Sequence, residues 1–179
     1  ARCIFDHSGA LAGAVARESL AHDVKLANAS PEIVTEYLTR IARLHHELLA
    51  LDQPPLIRAN HIVESEFIQR YGPDIGRMCY AEAKKKSFDR AGAEAFNRKL
   101  KDLWPQLREE LRPMLMDPSA MKATLAAAGG PTTATELGLS RTGWRDALKH
   151  ARDVRNRWSF LDLADDAGLL DDFLDRDEQ

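Results

Sequence analysis

Residues 125–140 read LAAAGGPTTATELGLS, and after a polar stretch residues 153–164 read DVRNRWSFLDLA. Paired glycines followed by a proline end a helix, because glycine adopts a left-handed backbone and proline cannot donate the next hydrogen bond. Ser140 is a good N-cap and is predicted to begin the next helix, which runs to about Arg155. A helix stop, then a helix cap, and then a second apolar segment together predict helices joined by short connections.

The rest of the chain has the same helical character. Apolar residues recur at i, i+4 and i+7 from Val34 to Leu48, and at similar spacing from Ala95 to Leu111. No stretch alternates apolar and polar residues as a half-buried strand would. We therefore predict an all-α, multihelical bundle of about seven to nine helices, without a sheet of more than two strands.

Prolines and caps set the predicted boundaries. Pro31, Pro73 and Pro118 are each expected at a helix start, where the missing N–H costs nothing. Pro105 is expected to kink or interrupt the helix that contains it. The predicted helices cover approximately residues 8–27, 31–51, 59–71, 73–86, 88–111, 118–129, 140–155 and 160–174.

Length and composition limit the class of protein. The 179 residues suffice for one well-buried core and are too few for two ordinary domains, so we predict a single helical domain over 1–179. A net charge of −3 and a pI near 6.1 argue against a nucleic-acid partner. Cys3 and Cys79 lack the spacing of a zinc knuckle or disulfide scaffold. No apolar run could span a bilayer, and we expect a cytoplasmic protein without a membrane partner.

The quoted segment carries a resemblance to a known family. Residues 103–170, and most clearly 125–164, resemble the C-terminal end of the sn-glycerol-1-phosphate dehydrogenase (AraM-like) family. That family belongs to the superfamily of dehydroquinate synthase and the iron-containing alcohol dehydrogenases. The resemblance implies the helical C-terminal domain of that superfamily, in an enzyme that reduces dihydroxyacetone phosphate to sn-glycerol 1-phosphate.

The resemblance also implies cofactors and partners. They are a divalent metal (zinc, nickel or iron), NAD or NADP bound mainly by a missing N-terminal half, a small phosphorylated substrate, and the chain's own N-terminal domain. A homo-oligomer is a further expectation. Because the sequence opens at Ala1 and shows no GxGxxG motif, we interpret it as an excised C-terminal half that is inactive by itself.

One histidine is a candidate metal ligand. His7 is followed by a run of small residues containing Gly9 and Gly13, and the resemblance implies that it ligates the divalent metal while the glycines face the cofactor half. A catalytic zinc site uses three protein ligands, so the others would lie upstream. The alternative is a helix-start histidine with Asp6 as its cap. No catalytic residue is assigned.

Two other classes of function remain open. An HD-type metal phosphohydrolase is also all-α, and His7, His22, Asp23 and a later aspartate follow its order of ligands. A helical interaction module without chemistry is the other alternative. His45 falls on the apolar stripe and is predicted to be a core histidine, whereas surface positions are predicted for the histidines at 46 and 61.

Basic clusters have two interpretations. Lysines 84–86 could bind phosphate, but a solvated position at the negative end of a helix is favoured. A second basic run could contact a phosphorylated ligand, but pairing with the aspartates at 162, 165, 166, 171 and 172 is favoured. This run comprises Arg141, Arg145, Lys149, His150, Arg152, Arg155 and Arg157. The tryptophans at 104, 144 and 158 are predicted to lie in the core.

Overall fold

A computed structural model describes residues 31–115, 117–127, 129, 140–154 and 156–176. Within these residues the protein is all-α and no strand occurs, which confirms the predicted fold class. A 3₁₀ turn, Arg112–Met114, follows the longest helix directly. The α-helices are α1 (Pro31–Ala50), α2 (Glu64–Tyr71), α3 (Pro73–Lys84), α4 (Arg90–Leu111), α5 (Pro118–Ala127), α6 (Arg141–His150), α7 (Phe160–Asp166) and α8 (Leu170–Arg176).

The main hydrophobic core lies between α1, α4 and the three last helices. Trp104 of α4 is 2% exposed, and its indole N–H donates to the backbone oxygen of Leu51 at 3.0 Å. Leu44, Leu148 and Leu163 are fully buried in the same cluster, and burial of each such side chain is worth about 1.5–3 kcal/mol. Trp144 is also buried and Trp158 is half-buried against the cluster, so the predicted core tryptophans are confirmed.

Local capping accounts for several helix boundaries. An Asp117 carboxylate oxygen accepts from the backbone N–H of Ala120 at 2.8 Å and so caps α5. Ser140 Oγ accepts from the backbone N–H of Gly143 at 3.1 Å and caps α6 as predicted. Gly129 follows α5 with φ +76°, which is the expected left-handed stop.

Pro105 does not interrupt α4, which continues through it as the predicted range 88–111 required. Two predicted boundaries nearer the C-terminal end were wrong. α6 ends at His150 and is followed by turns, so it does not reach residue 155. The final segment divides into α7 and α8, because Gly168 adopts φ +73° and its N–H bonds back to the Asp165 oxygen at 2.8 Å.

The segment before α2 is extended, although it was predicted to be helical from residue 59. Tertiary partners take its backbone N–H groups: that of Ile57 donates to Asn97 Oδ1, that of Arg58 to the Asp166 oxygen and that of Asn60 to the Phe88 oxygen, all at 2.8–3.0 Å. These bonds tie the segment to neighbouring elements, and the helix starts only at Glu64. None of the described helices is long and apolar enough to cross a membrane.

Candidate functional site

The residues predicted to carry metal chemistry lie outside the described part of the chain. His7, Gly9 and Gly13 fall in residues 1–30, as do His22 and Asp23 of the phosphohydrolase alternative. Within the described ranges, no group of three or more His, Cys, Asp or Glu side chains could hold a metal ion. The described helices therefore do not form a metal site of their own, and the role of His7 stays a prediction.

The basic run on α6 is paired with the acidic C-terminal helix, as the sequence favoured. Arg145 donates to Asp171 and Asp175, both at 2.9 Å, and Lys149 donates to Asp171 at 2.7 Å. The hydrogen bond from Lys149 lowers the pKa of the Asp171 carboxyl. These pairs are at least partly exposed and hold α6 against α8 at the surface. The two cations are thus occupied by carboxylates and do not point to a phosphate site.

A buried charged network lies between the end of α3 and residues 152–166. Its centre is Asp162, whose side chain is 1% exposed. One carboxylate oxygen accepts from Lys86 Nζ at 2.6 Å and from Arg152 Nη1 at 3.2 Å. The other accepts from the backbone N–H and the hydroxyl of Ser159, both at 2.8 Å. Asp162 therefore caps α7 and joins two distant cations.

The predicted solvated position of lysines 84–86 was wrong for one of the three. Lys84 and Lys85 are exposed, and Lys85 pairs with Glu82 on the same helix. The Lys86 side chain is only 6% exposed and also donates to the backbone oxygen of Arg152 at 2.5 Å. The chain turns at the end of α3, and this turn directs Lys86 inward, toward a carboxylate 76 residues away.

Arg152 is the second cation of the network. It pairs with Asp162, with Asp165, and with Asp166 at 3.8 Å. Burial acts to lower the pKa of the guanidinium, but the carboxylates, with Asp165 first, raise it above its ordinary value. Asp166 also accepts from Trp158 Nε1 at 3.0 Å. Burial nevertheless raises the pKa of the Asp166 carboxyl.

Asp153 forms a second centre beside the first. Its Oδ2 atom accepts from the Tyr71 hydroxyl at 2.7 Å and from Arg70 Nη1 at 3.1 Å, and His150 Nδ1 lies 3.2 Å away. Burial opposes ionisation, but the hydrogen bonds to His150 and Tyr71 hold the pKa of Asp153 below its usual range. Burial, and then the Asp153 charge, raises the pKa of Tyr71, so its hydroxyl stays a donor. Sequence reasoning missed both residues, which are 82 positions apart.

The cavity beside this network is small. It is lined by residues of both centres, including Asn60, Lys86, Arg152 and Asp153, and its volume is about 20 Å³. That volume admits about one water molecule. Carboxylates outnumber cations around Lys86 and Arg152, so a phosphate dianion would meet net negative charge. In this conformation the network joins segments that are distant in the chain, and the cavity beside it is too small for a substrate.

The comparisons give one relative. No family model matches the chain, and no solved structure matches it. The chain is similar to a glycerol-1-phosphate dehydrogenase [NAD(P)+] of Bacillus velezensis. They are 28% identical over 127 residues, which is 69% of this chain and 28% of the relative. The chain thus spans little more than a quarter of the enzyme it matches.

His45 was predicted to be a core or interface histidine, and it lies in the core. It is 3% exposed, and its ring lies 4.6 Å from that of Phe160. Burial, with a smaller contribution from His46, lowers the pKa of His45 to about 4.

An exposed position was predicted for His46 and for His61, and both are exposed.

We expect the lowered pKa of His45 to make the folded protein less stable in acid, and the direction follows from proton binding. Near pH 7 position 45 is neutral in the folded chain and mostly neutral in the unfolded chain, so the contribution is close to zero. Below about pH 6.5 only the unfolded chain takes up the proton, and we expect a loss of about 2 kcal/mol of stability by pH 5. Urea unfolding at pH 7 and pH 5 measures this loss. Between these pH values the free energy of unfolding should fall by about 2 kcal/mol less in His45→Met than in the wild type. An equal drop in both proteins would contradict the assignment.

Proposed function

We propose that this chain forms the C-terminal helical domain of a glycerol-1-phosphate dehydrogenase-like oxidoreductase that requires a divalent metal and NAD or NADP. The observation that carries the proposal is the 28% identity over 127 residues with the Bacillus velezensis enzyme. The all-α fold of the described residues is in keeping with it. The reaction assigned by this proposal is the reduction of dihydroxyacetone phosphate to sn-glycerol 1-phosphate.

The roles that we assign to this chain and to an N-terminal domain depend on what the described helices contain. They hold no cluster of metal-ligating side chains, and the cavity beside the charged network admits about one water molecule. We therefore assign nucleotide binding, and all metal ligands except His7, to a preceding N-terminal domain. The metal would polarise the substrate oxygen and the nicotinamide would supply hydride. The described helices would contribute structural support to that domain.

A chimera tests this assignment. Residues 1–179 are joined to the part of the Bacillus velezensis enzyme that precedes its matched region. We expect oxidation of NADH or NADPH that depends on dihydroxyacetone phosphate in the chimera, and none in the isolated chain. The reason is that the proposal places the unit that positions the nicotinamide in the preceding domain. The helical circular dichroism of both proteins should show that each is folded.

His7→Ala in the same chimera tests the metal ligand. Loss of one of three protein ligands should lower bound metal and turnover by about a hundredfold or more, with an unchanged melting temperature. The control is His61→Ala, which removes an exposed histidine and should change neither quantity. Unchanged metal content in His7→Ala would return that residue to the role of a helix-start histidine.

The same proteins distinguish the other classes of function. An HD-type phosphohydrolase would carry its whole site within this chain and would cleave a phosphomonoester when supplied with Mn²⁺. Cleavage by the isolated chain that is abolished by His22→Ala would replace the dehydrogenase proposal. A folded chimera that is inactive in both assays would favour an interaction module without chemistry.

A further inference from the structure

We propose that residues 61–84, which contain α2 and α3 and are called the flap below, open as one body from the remaining helices. A polar latch formed by Arg70, Tyr71 and Asp153 holds the flap closed over the cavity beside Lys86. This device is independent of the dehydrogenase proposal, because it rests only on contacts within the described residues.

The flap has a hydrophobic cluster of its own. Phe67 and Tyr71 of α2 pack there with Cys79 and Ala83 of α3, and all four are buried. Within the described residues, only Val154 belongs both to this cluster and to the main core. Elements that share little apolar surface with a core can separate from it at a lower free energy than the core itself unfolds.

The two helices of the flap are tightly joined to each other. Gly72 connects them with φ +80°, a conformation that glycine adopts without strain. A Cβ atom placed on Gly76 would lie 2.6 Å from the Cα atom of Ile68, so the backbones of α2 and α3 approach closely at this point. Such packing predicts that the pair moves as a unit.

The residues just before and just after the flap are bonded to each other and to the remaining helices. The backbone N–H of Asn60 donates to the Phe88 oxygen at 3.0 Å, and Asn60 Oδ1 accepts from the Phe88 N–H at 2.8 Å. Asn60 Nδ2 donates to Asp166 at 2.8 Å, and Lys86 is held by Asp162 at 2.6 Å. The flap therefore leaves and rejoins the protein at a fixed base, which is the geometry of a hinge.

The latch joins α2 of the flap to the turn that follows α6. Tyr71 donates to Asp153 across a buried contact of 2.7 Å, and the neighbouring Arg70 is paired with the same carboxylate oxygen at 3.1 Å. Phe67 and Ala83 of the flap line the cavity together with Lys86 and Arg152 of the remaining protein. With the flap in place the cavity admits about one water molecule, so opening of the flap would enlarge it.

Hydrogen exchange of the whole chain, followed by mass spectrometry at low urea concentrations, tests the flap. In the wild-type protein, amides of α2 and α3 should exchange together through one opening that precedes the opening of α1 and α4. Tyr71→Phe removes a hydrogen bond to a charged group and should accelerate exchange in α2 and α3 about tenfold to a hundredfold. Exchange in α1 and α4 should stay unchanged.

Tyr80→Phe is the matched control. It removes the same hydroxyl from the same flap, and within the described residues Tyr80 makes ring contacts and no hydrogen bond to the body. It should leave exchange in the flap unaltered. The proposal is overturned if α2 and α3 in the wild type exchange only with the global unfolding of α1 and α4. It is equally overturned if Tyr71→Phe accelerates all helices alike or none of them.

Discussion

Asp162→Asn is expected to destabilise the protein by about 3–5 kcal/mol. The substitution keeps the size of the side chain but removes the charge that Lys86 and Arg152 share. Lys86 is 6% exposed, so its ammonium group would stay buried without the carboxylate charge that now pairs with it. The bonds from the Ser159 backbone and hydroxyl, which cap α7, would also weaken. Urea unfolding at pH 7 measures the change.

Two further variants separate the buried charge from general effects of substitution. Asp171→Asn removes an exposed partner of Lys149 and should cost less than about 1 kcal/mol. Lys86→Met leaves Asp162 with Arg152 and Ser159, so its cost should fall between the other two. A loss in Asp162→Asn no larger than that in Asp171→Asn would show that the network does not stabilise the fold.

Gly76→Ala should cost about 3 kcal/mol, although alanine favours a helix more than glycine does. The added Cβ atom would lie 2.6 Å from the Phe67 oxygen and 2.7 Å from the Ile68 nitrogen. These are backbone atoms of α2, so relief requires that the two helices separate. Thermal unfolding followed by circular dichroism, together with urea titration, would measure the loss.

Gly92→Ala is the appropriate comparison because Gly92 also lies in a helix. Its added Cβ atom would meet Asp89 Oδ1 at 2.9 Å, and this side chain, which caps α4 through the Gly92 N–H, needs only a small shift to relieve the contact. The gain in helix propensity should offset the adjustment, and the net change should stay within about 1 kcal/mol. Equal losses in the two variants would mean that α2 and α3 do not approach as closely as described.

Much of the helical architecture was predictable from the sequence, because its causes are local. Asp117 and Ser140 cap α5 and α6 through bonds to residues three positions later, so neighbouring residues are enough to predict each start. The apolar period placed Trp104 and His45 in the core without knowledge of their partners. Charge pairing between α6 and α8 was favoured because charged segments of opposite sign lie close together in the chain.

The charged centres and the flap depend on tertiary structure. Lys86 and Asp162 are 76 residues apart, and Tyr71 and Asp153 are 82 apart, so neither pattern nor spacing relates them. A lysine at the end of a helix is typical of a solvated surface, and only the packing of α7 against the turn after α3 makes Lys86 a buried partner. The extended segment before α2 has the same origin, because distant acceptors outweigh its local helical preference. The sequence by itself determined most of the helical segments and of their buried faces, through interactions within a few residues. Tertiary structure decided which charges meet, since burial makes an ion pair essential only once two distant segments exclude water between them.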